Sequence, residues 1–184
     1  MKPCKKVGNP KNLFHSILLF CVSVFLLQGQ SNMPDDSYTT ITKASSIALE
    51  NPRKSLDILK VLKQKFIEQG SYENIDDFSV YYAIIAAETS IYSQEKKFAP
   101  IYRSWQEIGE KIKPLRTKDD QYASYYYFSK IMLLIYKAQE KGTLLPGNAR
   151  YRSEIKSLIA EVKQFDFKEK ITQNLVVSHL EQYL

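Results

Sequence analysis

Few side chains in this 184-residue chain are both reactive and spaced for chemistry. Three pairs of adjacent acids, Asp35-Asp36, Asp76-Asp77 and Asp119-Asp120, are the material of general acid/base catalysis or of a calcium site. None follows the D-x-D-x-D-G spacing of a calcium loop. Two of the pairs stand where helices are expected to begin, and capping together with the positive end of the helix dipole accounts for acids there. Glu88 is more distinctive. On a helical wheel it falls between Tyr81 and Ile84, inside an apolar arc, where a carboxylate needs a partner or a raised pKa. It reads as a ligand-facing acid or, more simply, as half of an ion pair with an arginine of the next helix such as Arg103. Tyr122, Tyr125 and Tyr126 have the spacing to line a groove or pocket with rigid, polar-tipped rings. Plain core packing with hydroxyls at the rim explains the same spacing. His179 is expected at the surface of a short terminal helix.

The remaining reactive groups lie in one N-terminal segment. Lys2, Lys5, Lys6 and Lys11 precede an apolar run from Leu13 to Leu27, and Gly29-Gln30-Ser31 follows. That is the layout of a secretory signal peptide, with cleavage after Ser31 or Gln30. The run has 15 residues, short of the roughly 20 that span a bilayer as a helix. Residues 1–31 are thus expected to be a leader and 32–184 the exported domain, periplasmic or extracellular. Membrane insertion is expected only if the leader is retained as an anchor. Cys21 does not suggest lipid attachment, because Phe20 precedes it where a small residue is needed.

Setting the leader aside changes what chemistry remains. Cys4, Cys21 and His15 go with it, leaving His179 as the single histidine. This excludes a disulfide, a Cys/His zinc site and a thiol nucleophile from the exported part. A Ser-His-Asp triad would depend on His179, and no G-x-S-x-G elbow is present. The 26 basic residues fall to 22 once the leader's four lysines are removed, against 20 acids, so the net charge drops from +6 to +2. The basic excess belongs to the export signal and implies no nucleic-acid partner. No cofactor, metal or catalytic activity is expected.

The elements that would position these residues are helices. Glycine is sparse, Pro52, Pro100, Pro114 and Pro146 fall between periodic segments, and no stretch shows sustained period-2 alternation. The spacing predicts helices over about 40–50, 52–69 (ended by Gly70), 75–93 (capped by Asn74 or Asp76), 100–113, 118–141 (capped by Thr117, ended by Gly142), 149–165 and 168–184. The second has the stripe Leu56, Leu59, Leu62, Phe66. The fourth has Ile101, Trp105, Ile108, Ile112, spaced 4, 3 and 4. The third and fifth are apolar nearly all round. The third sets Phe78, Tyr82 and Ile85 on one side and Val80, Ile84, Ala87 and Ile91 on another. Helices of that kind must be covered on two sides, and one-striped helices are what cover them. The alternation predicts an all-α fold of stacked antiparallel hairpins, an α-solenoid of six or seven helices.

The stretch Phe98, Ile101, Trp105, Ile108, preceded by Tyr92 and followed by Pro114, resembles the second half of a tetratricopeptide repeat. Asn51-Pro52-Arg53-Lys54-Ser55-Leu56 resembles the Pro-x-Lys-Ala-Leu opening of such second helices. Ile101 stands where the repeat has Ala, and Glu88 lies near an expected Leu. Matching points at Ser55, Ile101 and about Glu154 are 46 and 53 residues apart, against a period of 34. An export leader before such repeats is also similar to the exported region of Bacteroidetes-type regulators and sensor kinases. The resemblance implies a module that binds a protein or peptide, or the sensing part of a signalling protein. Its groove is expected on the first helices of the hairpins, with Ser79, Ala83, Ala86 and Ser90 as a small-residue floor, Glu88 beside it, and Tyr122, Tyr126, Lys130 and Lys137 on the fifth helix. The alternative reading is a small-molecule-binding bundle with a tyrosine-lined pocket between the third and fifth helices.

Overall fold

The computed structural model describes residues 35–142 and 148–184. The expected leader, with Cys4, His15 and Cys21, and residues 143–147 lie outside them. The described chain is all-helical: α1 (Asp35–Ile47), α2 (Pro52–Gln69), α3 (Ile75–Gln94), α4 (Phe98–Ile112), a 3-10 turn (Lys113–Leu115), α5 (Asp120–Glu140), α6 (Ala149–Gln164) and α7 (Lys170–Glu181). No helix among the described residues is long and apolar enough to cross a membrane.

Local chemistry explains most boundaries. Asn51 accepts a hydrogen bond from the Lys54 amide ahead of Pro52, and Asn74 accepts from the amides of Asp76 and Asp77. Several boundaries shift by two or more residues from the periodic reading, and two of the differences have a clear local cause. Helix α1 begins at Asp35 rather than near Thr40, because Ser37 is buried one turn before Ile41 and continues the stripe to Ala44 and Ala48. Helix α5 is capped by Asp119, whose carboxylate accepts from the Gln121 amide at 2.7 Å, and not by Thr117. The 3-10 turn keeps the chain tightly wound just past α4, and Asp119 has the extended backbone (φ −152°, ψ 146°) that a cap needs.

Two glycines end helices for different reasons. Gly142 has φ +64°, the left-handed stop that glycine accepts without strain. Gly70 is extended (φ −88°, ψ 168°). It is required because a Cβ there would lie 2.5 Å from the Phe66 ring and 2.8 Å from the Phe66 carbonyl oxygen. A third, Gly109, allows a close approach of α4 to α5, with Ser129 Oγ at 3.1 Å from where its Cβ would be.

The core is divided by α3. One side of it (Phe78, Tyr81, Tyr82, Ile85) joins the larger apolar cluster shared with α4 to α7. The other side (Val80, Ile84, Ala87, Ile91) closes a smaller cluster with Ile41, Ala44 and Leu59 of α1 and α2. The stripe of α4 is fully buried at Ile101, Trp105, Ile108 and Ile112, and Trp105 Nε1 donates to Thr89 Oγ1 at 2.9 Å. Ser55 is also fully buried, its hydroxyl donating to the Ala44 carbonyl at 2.7 Å, so that α1 and α2 approach closely. In α6 Glu154, the expected matching point, is exposed, and its neighbour Ile155 is buried.

Packing between helices is sequential. Each helix touches the next in the chain, and α1 touches α3, α3 touches α5, and α5 touches α7. No described helix packs on one further away than that, and α2, α4 and α6 do not meet. The N-termini of α3, α5 and α7 gather at one end. Lys118 pairs with Glu73 there at 3.2 Å, and the Asp120 carboxylate accepts from the amides of Lys168 and Glu169 at 2.9 and 2.6 Å.

Candidate functional site

The residues expected at a binding surface fall mostly into three seams between helices, with Lys137 exposed on α5. Ser79 is buried between α3 and α5. Its hydroxyl donates to the Ile75 carbonyl at 2.7 Å, and the Tyr125 hydroxyl meets it at 2.8 Å. Gln121 extends this chain by donating to Tyr125 at 3.2 Å. Further along the same strip, Ala83, Ala86 and Ser90 are half-buried. Tyr122 is buried beside Phe78, and its hydroxyl has no hydrogen-bond partner among the described residues. Burial first, then the charges of Asp119, Glu73 and Asp77, push that hydroxyl up to about 12, so it stays protonated.

Glu88 belongs to the seam between α2 and α3. It is 7 % exposed, and its carboxylate pairs with Lys63 Nζ at 3.0 Å. The partner comes from the preceding helix, so Arg103 is not needed and lies exposed. A buried carboxylate held by one ammonium is a structural arrangement in which each charge keeps the other tolerable. His179 is also inside rather than at the surface. It is 5 % exposed, with its ring edge-on to Phe128 and Tyr183 at 5.5 Å each. The terminal helix turns this residue onto α5, a docking that its own short sequence does not reveal.

Tyr126 and Lys130 do come together, in the seam between α5 and α6. Lys130 Nζ pairs with Glu161 at 2.6 Å and stands 5.4 Å from the centre of the Tyr126 ring. Arg116, just past the 3-10 turn, lies 5.0 Å from the same ring and 5.6 Å from that of Phe165. Tyr127 abuts Phe165 edge-on at 5.7 Å. Its hydroxyl is raised to about 12, chiefly by burial and then by Glu161, with Arg116 acting in the opposite direction. Lys137 is exposed on α5, further along the helix. Arg116 was not legible in the sequence, because it sits in a connecting segment where no periodicity assigns a face.

The paired acids have local tasks. Asp77 accepts from the Ser71 amide at 3.0 Å, Asp119 caps α5, and Asp120 ties α5 to α7. Among the described residues no three histidines, cysteines or carboxylates gather as a metal site would require. What the α5–α6 seam offers is recognition chemistry, in the form of cations, ring faces and hydrogen-bond donors. Comparison with protein-family models, curated proteins and solved structures gives no match, so the residues carry the functional reading alone.

Proposed function

We propose that the chain is an exported helical-repeat module that binds a protein or peptide partner, either alone or as the sensing part of a signalling protein, and performs no catalysis. One observation carries the reading: among the described residues, helices pack on neighbours one or two places along the chain and no further, with α1, α3, α5 and α7 in unbroken succession. Such one-dimensional packing is the hallmark of stacked hairpins, whose extended faces serve partners. It supports a tetratricopeptide-like solenoid whose binding face is the layer of odd-numbered helices. The half-buried strip Ala83, Ala86 and Ser90 then forms part of the floor, and the leader layout supports export to the periplasm or beyond.

The small-molecule reading has less support. Between α3 and α5 the Tyr125 ring lies 5.2 Å from that of Phe78 and 4.6 Å from that of Tyr82, and Trp105 abuts Tyr82 at 5.1 Å. Rings packed against one another occupy the space that a ligand would need.

The test is site-specific photo-crosslinking in the native host, with the reactive group at Ser90 or, for contrast, at exposed Lys60 on α2. A discrete adduct from Ser90 alone is expected, on a protein lighter than the full chain by roughly 3–4 kDa. Equal adducts from both positions, or none from Ser90, would overturn the assigned face. Retention of full mass in the cytoplasm would overturn export.

A further inference from the structure

The seam between α5 and α6 holds a guanidinium without an anion. Arg116 is half-buried, and among the described residues it makes no ion pair and no side-chain hydrogen bond. Ring faces at 5.0 and 5.6 Å hold the group in place. Ring faces accept no N–H bond along the guanidinium plane, so the donors of an arginine held over them stay available, and a planar carboxylate can accept two of them. Because the rings restrict it beforehand, little side-chain freedom remains to be lost on binding.

We infer that Arg116 is the docking point for a carboxylate of the partner, so that the segment bound at the α5–α6 seam is acidic. The inference rests on the interaction-module reading and specifies the chemistry of that partner at one place. Charge balance selects the anion. Lys130 is already neutralised by Glu161 at 2.6 Å, which leaves Arg116, among the described residues, as a cation of the cluster without an ion-pair partner. One net positive charge suits a carboxylate monoanion. A phosphate dianion would exceed it. The Tyr126 and Phe165 rings add apolar area for the carbon stem of a glutamate or aspartate.

Titration of the purified full chain with a fluorescein-labelled hexaglutamate peptide, followed by anisotropy, tests the assignment. Hexaglutamate is expected to bind and hexaglutamine not to. Arg116→Gln should weaken binding by about tenfold or more, as loss of a charge-assisted pair does. Glu161→Gln frees Lys130 beside the Tyr126 ring and should tighten binding severalfold. Failure of hexaglutamate to bind the wild-type chain would overturn the inference. So would equal affinity in Arg116→Gln, or displacement of the peptide by inorganic phosphate at concentrations where acetate is inert. If Arg116→Gln does not fold, an unchanged affinity in Glu161→Gln is by itself sufficient to overturn it. None of these results touches the crosslinking from Ser90, so the two readings fail separately.

Discussion

Acidification should destabilise this protein through one imidazole. His179 is 5 % exposed and sits edge-on between Phe128 and Tyr183. Burial lowers its pKa from the ordinary 6.5 to about 4, because the charged form is poorly solvated there. Above pH 6.5 the ring is neutral in both folded and unfolded chains, and its full contribution is present. As the pH falls, the unfolded chain takes up the proton first, so stability declines through the window from 6.5 to about 4 and the loss is complete below it. At about 1.4 kcal/mol per tenfold difference in proton affinity, the whole effect is roughly 3 kcal/mol. That is a large part of the ~5–15 kcal/mol by which domains are stable. The measurement is urea unfolding at several pH values between 7 and 4, for the wild type and for His179→Phe, which keeps the ring and removes the titration. Carboxylates that titrate in the same range are common to both proteins and cancel in the difference. The wild type is expected to lose about 3 kcal/mol more than the variant over this window. Parallel curves, or an imidazole pKa near 6.5 by NMR, would refute the reasoning.

Other outcomes follow from individual contacts. Trp105→Phe should cost about 1–3 kcal/mol in urea unfolding, since it shrinks a fully buried ring and removes the hydrogen bond to Thr89; a loss below about 0.5 kcal/mol would contradict that packing. Lys63→Met should destabilise by about 1–3 kcal/mol by leaving Glu88 buried without its ammonium, and adding Glu88→Leu should recover most of the loss. Were Glu88 a ligand group, the double variant would be stable yet lose partner crosslinking from Ser90. Lys96 has φ +56° at the turn after α3, so Lys96→Gly should raise stability by about 0.5–1 kcal/mol, read as a higher Tm. Gly70→Ala should lower Tm by forcing a methyl against the Phe66 ring and carbonyl, at a cost of about 1–3 kcal/mol.

Within the candidate site, legibility followed locality. The small strip on α3 and the tyrosines of α5 are visible as positions on a wheel, and the structure places Ser79 and Tyr122 in one seam and Tyr126 with Lys130 in another. Glu88 was recognisable as a charge that needs a partner. The identity of that partner was not, because Lys63 lies 25 residues earlier on a helix whose rotation about its axis is set by packing. Arg116 gave no signal at all, since a residue in a connection acquires meaning only from what the chain brings beside it.

The amino-acid sequence by itself determined what depends on spacing over a turn or two. This includes the helical class, the two-sided character of α3 and α5, the buried stripe of α4, the cap at Asn74, and the stop at Gly142. These follow from the 3.6-residue period and from backbone chemistry that acts within a few residues. Only the tertiary structure decided that α1, α3, α5 and α7 pack in succession, that Asp120 ties the starts of α5 and α7 together, and that His179 is buried. It also brought Arg116 over Phe165. The physical reason is that these contacts join residues tens of positions apart. Their geometry is set by how whole helix surfaces interlock to fill the core, which no local pattern specifies.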